Sequence, residues 1–232
     1  MKQITMTIRT LSPVVLSAMS NATVLTASHS YFSGPNVRGI LASRYIQQRE
    51  LGVHAEEDEA FLSLFFDKLR FVAAYPLAAD GTRAFVLPLS MQKSKDGREL
   101  LDLMQREGRP GFKSMKGFGV AHGAELAPVN VRKTINLHMS RSDIKAHDGK
   151  ERLAGRSMAG GIYNYEAVDA GQSFAGVIYG EDEDLQALCD GLGASKWFGY
   201  AGRSRFTQYG HCAVSLSDIE DIPQEPIETG SD

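Results

Sequence analysis

A chain of 232 residues that is 43% hydrophobic can bury one sizeable core or two small ones. No stretch approaches the roughly 18 consecutive apolar residues of a membrane span, and Lys2, Gln3 and Arg9 interrupt the first ten residues in a way unlike a signal peptide. A soluble, cytoplasmic protein without a membrane partner is expected.

The net charge of −3 argues at first against a nucleic-acid partner. Residues 217–232, however, hold Asp218, Glu220, Asp221, Glu225, Glu228 and Asp232 without a single base. Taking these six from 28 acids leaves 22 against 25 Lys and Arg, so the rest of the chain carries +3. The bases concentrate between Lys93 and Arg156, which favours a local positive surface. Cys189 and Cys212 each occupy an apolar-phase position, where a small buried thiol is expected, and they form no zinc or disulfide framework. No metal or cofactor is expected.

In chain order, residues 3–10 alternate, with Ile4, Met6 and Ile8 on one face, and read as a first strand that runs into a loop at Ser12-Pro13. Gly34-Pro35 opens a helix, because proline is tolerated in a first turn where its missing N–H costs nothing. Val37, Ile40, Leu41 and Tyr45 make its buried stripe, and Arg38 sits near the backbone donors of its start, where the two could share an anion. A second helix is expected from about Glu57, with Phe61, Leu64, Phe65 and Leu69 inward. Residues 71–76 and 85–90 read as short strands around a turn at Asp80-Gly81.

From 91 to 129 the periodicity weakens. Lys93, Lys95, Arg106, Arg109, Lys113 and Lys116 alternate with glycines and with Phe112 and Phe118, and a helical turn or two is expected around 100–105. Such a stretch suits a flexible strip that closes over a polyanion. Residues 132–141 form a clearer strand, with Ile135, Leu137 and Met139 on one face and Thr134, Asn136, His138 and Ser140 on the other. The polar face, with Arg141 at its end, could meet RNA, although a polar strand face is more often simply solvated. After a turn at Asp148-Gly149, residues 161–168 and 172–179 are expected to pair across Asp169-Ala170-Gly171. Residues 182–192 form a helix with Leu185, Leu188, Cys189 and Leu192 on one side.

The most informative stretch is Gly202-Arg203-Ser204-Arg205-Phe206-Thr207-Gln208-Tyr209-Gly210, lying between strand candidates 196–200 and 211–216. Its glycines permit positive φ and close backbone approach to a ligand, and consecutive N–H groups in such a turn can cradle an anion. Arg203 and Arg205 add planar cations that match phosphate oxygens, while Phe206 and Tyr209 offer faces for bases.

The order of elements fits an α+β, ferredoxin-like (RRM-like) β-α-β-β-α-β domain over residues 1–216, with a large insertion around 91–156 and an acidic, disordered tail over 217–232. Tyr31, Gly34-Pro35 and Arg38-Gly39 at the first helix resemble the pattern of the RAMP superfamily, the RNA-binding proteins of CRISPR effector complexes. The stretch from Phe61 through Phe71 and Ala74-Tyr75-Pro76 extends that resemblance. His138-Met139-Ser140-Arg141, Gly161-Ile162-Tyr163-Asn164-Tyr165-Glu166-Ala167 and the Gly202–Gly210 loop are similar in order and spacing to the RAMP subunit particular to type III-D systems.

The resemblance implies a non-catalytic subunit that grips the repeat-derived 5′ handle of the guide RNA, beside backbone RAMP subunits and a large signalling subunit. On it, Gly202, Arg203, Ser204, Arg205, Tyr209 and Gly210 are the first RNA contacts, and Arg38, Lys113, Lys116, His138 and Arg141 the second.

Three other functions compete. A metal-independent endoribonuclease needs a base and an acid within hydrogen-bond reach, with His29, His138 and Tyr209 as candidates. A subunit that slices target RNA with a carboxylate after the first strand is disfavoured, because no Asp or Glu precedes Glu50. A protein-binding scaffold would leave the basic residues merely solubilising.

Overall fold

The computed structural model describes residues 1–18, 25–97, 99–105, 107–108, 110–123, 125–141, 157–205 and 207–223, with the backbone alone at 140–141 and 157–161. The chain begins with β1 (Lys2–Thr10) and β2 (Leu25–Thr26), then α1 (Gly34–Gln48), a 3-10 turn (Gly52–Glu57) and α2 (Glu59–Leu62), which runs into a π-helical turn (Ser63–Lys68). β3 (Arg70–Phe71), β4 (Tyr75–Pro76), β5 (Phe85–Val86), β6 (Met91–Ser94), β7 (Leu100–Asp102), β8 (Phe112–Ser114), β9 (Phe118–His122) and β10 (Glu125–Val129) follow. β11 (Lys133–Arg141), β12 (Ser157–Val168), β13 (Ser173–Gly180), α3 (Asp182–Leu192), β14 (Lys196–Tyr200), β15 (His211–Leu216) and β16 (Glu220–Asp221) complete the order.

The main sheet has the order β14-β15-β1-β13-β3, and each neighbouring pair is antiparallel. β1 lies at its centre because its alternation puts an apolar row on one face: Ile4, Met6 and Ile8 are buried. That face carries the helices. Val37, Ile40, Leu41 and Tyr45 of α1, Phe61, Leu64 and Phe65 of the second helical segment, and Leu185, Leu188 and Leu192 of α3 form one core with it. Ser33 caps α1 through a capping box with Asn36. The second segment is shorter and more irregular than a single helix from Glu57, yet it buries the four residues expected of it, Leu69 included. Its π turn is tied to α3 by Lys68 Nζ, 2.7 Å from Asp184 Oδ1.

Several expectations are corrected. Residues 91–129 fold into strands: β7-β6-β8 form one three-stranded sheet, and β10-β9-β5 another. The helical turn expected around 100–105 is β7, followed by a turn in which Asp102 Oδ1 accepts from Met104 N. Such a side-chain bond offers the backbone an alternative to helix. β12 and β13 do not pair with each other across residues 169–172. β13 joins β1 over eight residue pairs, while β12 joins β11 on one side and β2 on the other. The carboxyl-terminal stretch stays on the fold beyond Ser217, contrary to a loose tail beginning there. Ser217 Oγ accepts from Thr5 N at 3.0 Å, Ile219 packs against the core, and β16 pairs with Lys2 and Gln3. Among the described residues, no helix is long and apolar enough to cross a membrane.

Candidate nucleic-acid interface

The loop between β14 and β15 begins and ends where the sequence indicates, and the exit of β1 fixes it in place. Val15 O accepts from Arg203 N at 2.9 Å, and Pro13 O accepts from Gly210 N at 2.8 Å. Gly202 sits at φ 78°, so close that a Cβ would lie 2.4 Å from Val15 O. Gly210, at φ 88°, meets Ala201 O at the same distance. Only glycine fits either position. Ser204 takes φ 55°, uncommon for a residue with a Cβ, and its carbonyl accepts from both N and Oγ1 of Thr207. Three loop amides, those of Arg203, Thr207 and Gly210, are therefore committed inside the protein. The loop therefore offers an anion its exposed guanidinium groups more than a run of backbone donors.

Arg203 and Arg205 are both exposed. The Arg203 guanidinium carbon lies 5.4 Å from the Tyr165 ring centroid, a cation–π distance that aims the side chain across β12. Arg205 lies by the groove between α1 and β14 that Arg44 and Tyr200 also line. Tyr209 differs from its expected role. It is 2% exposed and packs with Val15, Tyr165 and Ala167 in a small second core, so its ring is no platform for a base. Burial pushes its phenol above the ordinary tyrosine range, opposed by hydrogen bonds from Gln208 and Asn136.

His138 comes to this cluster from β11. Its Nε2 is 2.7 Å from Tyr209 Oη, and its ring stacks on Tyr163 at 5.3 Å and 13°. On the polar face of β11, His138 and Asn136 are half-buried, with His138 against the tyrosines, while Thr134 is exposed. The apolar face points outward: Ile135, Leu137 and Met139 are exposed, Leu137 by 70%, together with Ile162 of β12. Tyr163 and Tyr165, which contact His138, and Tyr165 also Arg203, were not singled out from the sequence. Their alternation, in register with His138 and Asn136, is the signal, but only the strand pairing reveals it.

The other candidates make contacts of their own. Arg38 rests 4.9 Å over the Phe66 ring on the helical side. Lys113, opposite Lys93, and Lys116 are exposed on or beside the β7-β6-β8 sheet. The backbone of Arg141 pairs with Ser157 at the far end of the β11–β12 ladder, and its side chain and all of Phe206 lie outside the described residues. His29 contacts Tyr31, with ring centroids 5.1 Å apart.

No protein-family model matches the sequence, and no curated protein matches it either. Solved structures do. A chain of the type III-B Cmr-beta complex in its apo state superposes with a TM-score of 0.51 at 9% identity, over 93% of this chain and 96% of the other. A chain of the same complex bound to cognate target RNA gives 0.53 at 8% identity, over 92% and 96%. A chain of a type IV-B CRISPR complex gives 0.51 at 12% identity, over 97% and 94%. At these identities the likeness is one of fold, and it extends over nearly the whole of each chain: this protein shares its fold with subunits of CRISPR complexes.

Proposed function

We propose that this chain is a RAMP-type, non-catalytic RNA-binding subunit of a type III CRISPR effector complex, one that grips the repeat-derived 5′ handle of the guide RNA in the manner of the type III-D capping subunit. The observation that carries the proposal is the Gly202–Gly210 loop, locked to Pro13 and Val15 with Arg203 and Arg205 exposed. A rigid backbone that presents two guanidinium groups suits phosphates held in a fixed path. The strand order β15-β1-β13-β3, with helices on one face, supports a ferredoxin-like frame, and the strands between β4 and β13 make its insertion. The exposed aliphatic face of β11 and β12 supports a protein neighbour, as a subunit in an assembly would have.

One observation favours a nuclease as the second reading: His138 and Tyr209 are within hydrogen-bond reach of one another. Against it, the phenol is buried and engaged by His138, and His29 pairs elsewhere. The test is to follow binding and cleavage of labelled repeat RNA by the purified protein, first in EDTA and then with magnesium. Handle binding without product in either condition is expected, and Arg203→Ala with Arg205→Ala should weaken it about tenfold and lower the salt slope by about 1.4. Site-specific product in EDTA that disappears in Tyr209→Phe would transfer the assignment to the nuclease. An unchanged salt slope in a folded double variant would remove the loop from the site.

A further inference from the structure

The helices cover one face of the main sheet, and on the other the strands that flank the loop hold a second set of residues. Lys196 and Phe198 of β14 face outward while Trp197 between them is buried. In register, Phe198 lies beside Ala213, Ala213 beside Arg9, and Arg9 beside Ser173; the next row runs from Lys196 through Ser215 to Thr7. Small residues next to a large ring leave a trough of about 420 Å³, lined by Thr7, Arg9, Ser173, Phe198, Ala213 and Ser215 with Lys196 at its edge.

The Phe198 ring is 72% exposed, an unusual placement for a phenylalanine on an ordered strand. Arg9 and Lys196 are exposed as well, and no carboxylate lines the trough. Two residues along β14, on the same face and about 7 Å away, Tyr200 stacks on His211 with centroids 5.3 Å apart. That pair stands at the foot of the Gly202–Gly210 loop. Aromatic faces for bases, cations for phosphates and a hydroxyl rim thus continue from the loop down the β14–β15 ladder.

We infer that this open face is a second RNA subsite, in which a single-stranded segment leaving the loop stacks a base on Phe198 and sets its phosphates against Arg9 and Lys196. The inference rests on the RNA-binding reading of the loop and extends it. Positive charge without a carboxylate, together with continuity to the loop, favours RNA over a protein as the occupant.

The experiment measures the affinity of the full chain for labelled repeat RNA by fluorescence anisotropy over a salt series, with the loop variant Arg203→Ala/Arg205→Ala in parallel. Phe198→Ala should weaken binding about tenfold and Phe198→Trp should retain it, with the added indole quenched as RNA is titrated in. Arg9→Ala with Lys196→Ala should lower the salt slope by about 1.4. Since all three side chains are exposed, thermal unfolding should be unchanged. Sheet variants that bind like wild type while the loop variant weakens would overturn the subsite and leave the loop reading intact. Weakening by the sheet variants alone would keep the subsite and remove the loop. Sheet variants that keep RNA but lose a co-purifying subunit would assign the trough to protein and overturn the inference.

Discussion

Tyr209 and His138 are 71 positions apart, and their sequence contexts give no hint that they touch. Each was legible as a candidate; the 2.7 Å contact between them was not, because it depends on the pairing of β11 with β12 that brings His138 to the tyrosines. Tyr209→Phe removes the phenolic oxygen and leaves His138 Nε2 without that partner, a loss of about 1 kcal/mol in urea unfolding. RNA affinity should fall less than in the double arginine variant, since the phenol is buried while both guanidinium groups are exposed. Cys212 offers a separate test. Burial pushes its thiol up to about 12 from an ordinary value of 9.0. Below about pH 9 both states keep the proton, so stability is indifferent to pH there. Between about 9 and 12 the unfolded thiol ionises first, the unfolded state binds fewer protons, and stability falls by up to about 4 kcal/mol. Urea midpoints measured across that range should decline more steeply in the wild type than in Cys212→Ala.

At the level of elements, what the sequence makes legible is what local periodicity and turn chemistry control. The helix at Asp182–Leu192 and the strands flanking the glycine loop have the expected bounds, because each has a clear stripe or alternation and a glycine at its end. Of the insertion, the five strands β6 to β10 were not legible. They are three to five residues long, and their partners are set by distant registers such as Phe85 with Gly119. The outward turn of Phe198 was missed for a related reason: only the pairing of β14 with β15 shows which face the helices cover. The glycine loop is where local and distant constraints meet. In Gly202→Ala a Cβ would be driven against Val15 O at 2.4 Å, in a left-handed conformation that alanine disfavours. A loss of about 2 kcal/mol is expected by urea unfolding, with RNA affinity reduced although no cation is removed. Arg203→Ala should leave stability within about 0.5 kcal/mol of wild type, which separates the scaffold of the loop from its exposed side chains.

For the molecule as a whole, part of the acidic carboxyl-terminal segment carries contacts of the fold. Residues through Asp221 belong to the fold, since Ser217, Ile219 and β16 all bear on β1 or the core. A chain ending at Leu216 should therefore melt several degrees lower, by the rule that about 1 kcal/mol shifts the midpoint of a domain this size by about 2–4 °C. A chain ending at Pro223 keeps those contacts but sheds Glu225, Glu228 and Asp232, which brings the formal charge from −3 to zero. Its affinity for RNA of unrelated sequence should rise at low salt through reduced long-range repulsion. Because the Debye length shrinks to about 8 Å at physiological ionic strength, that gain should vanish as salt is added, leaving the contribution of Arg203 and Arg205 in place. A gain that persists at high salt would mean that the removed segment covers the RNA site by direct contact, and competition by a synthetic peptide of residues 224–232 would then restore the weaker binding.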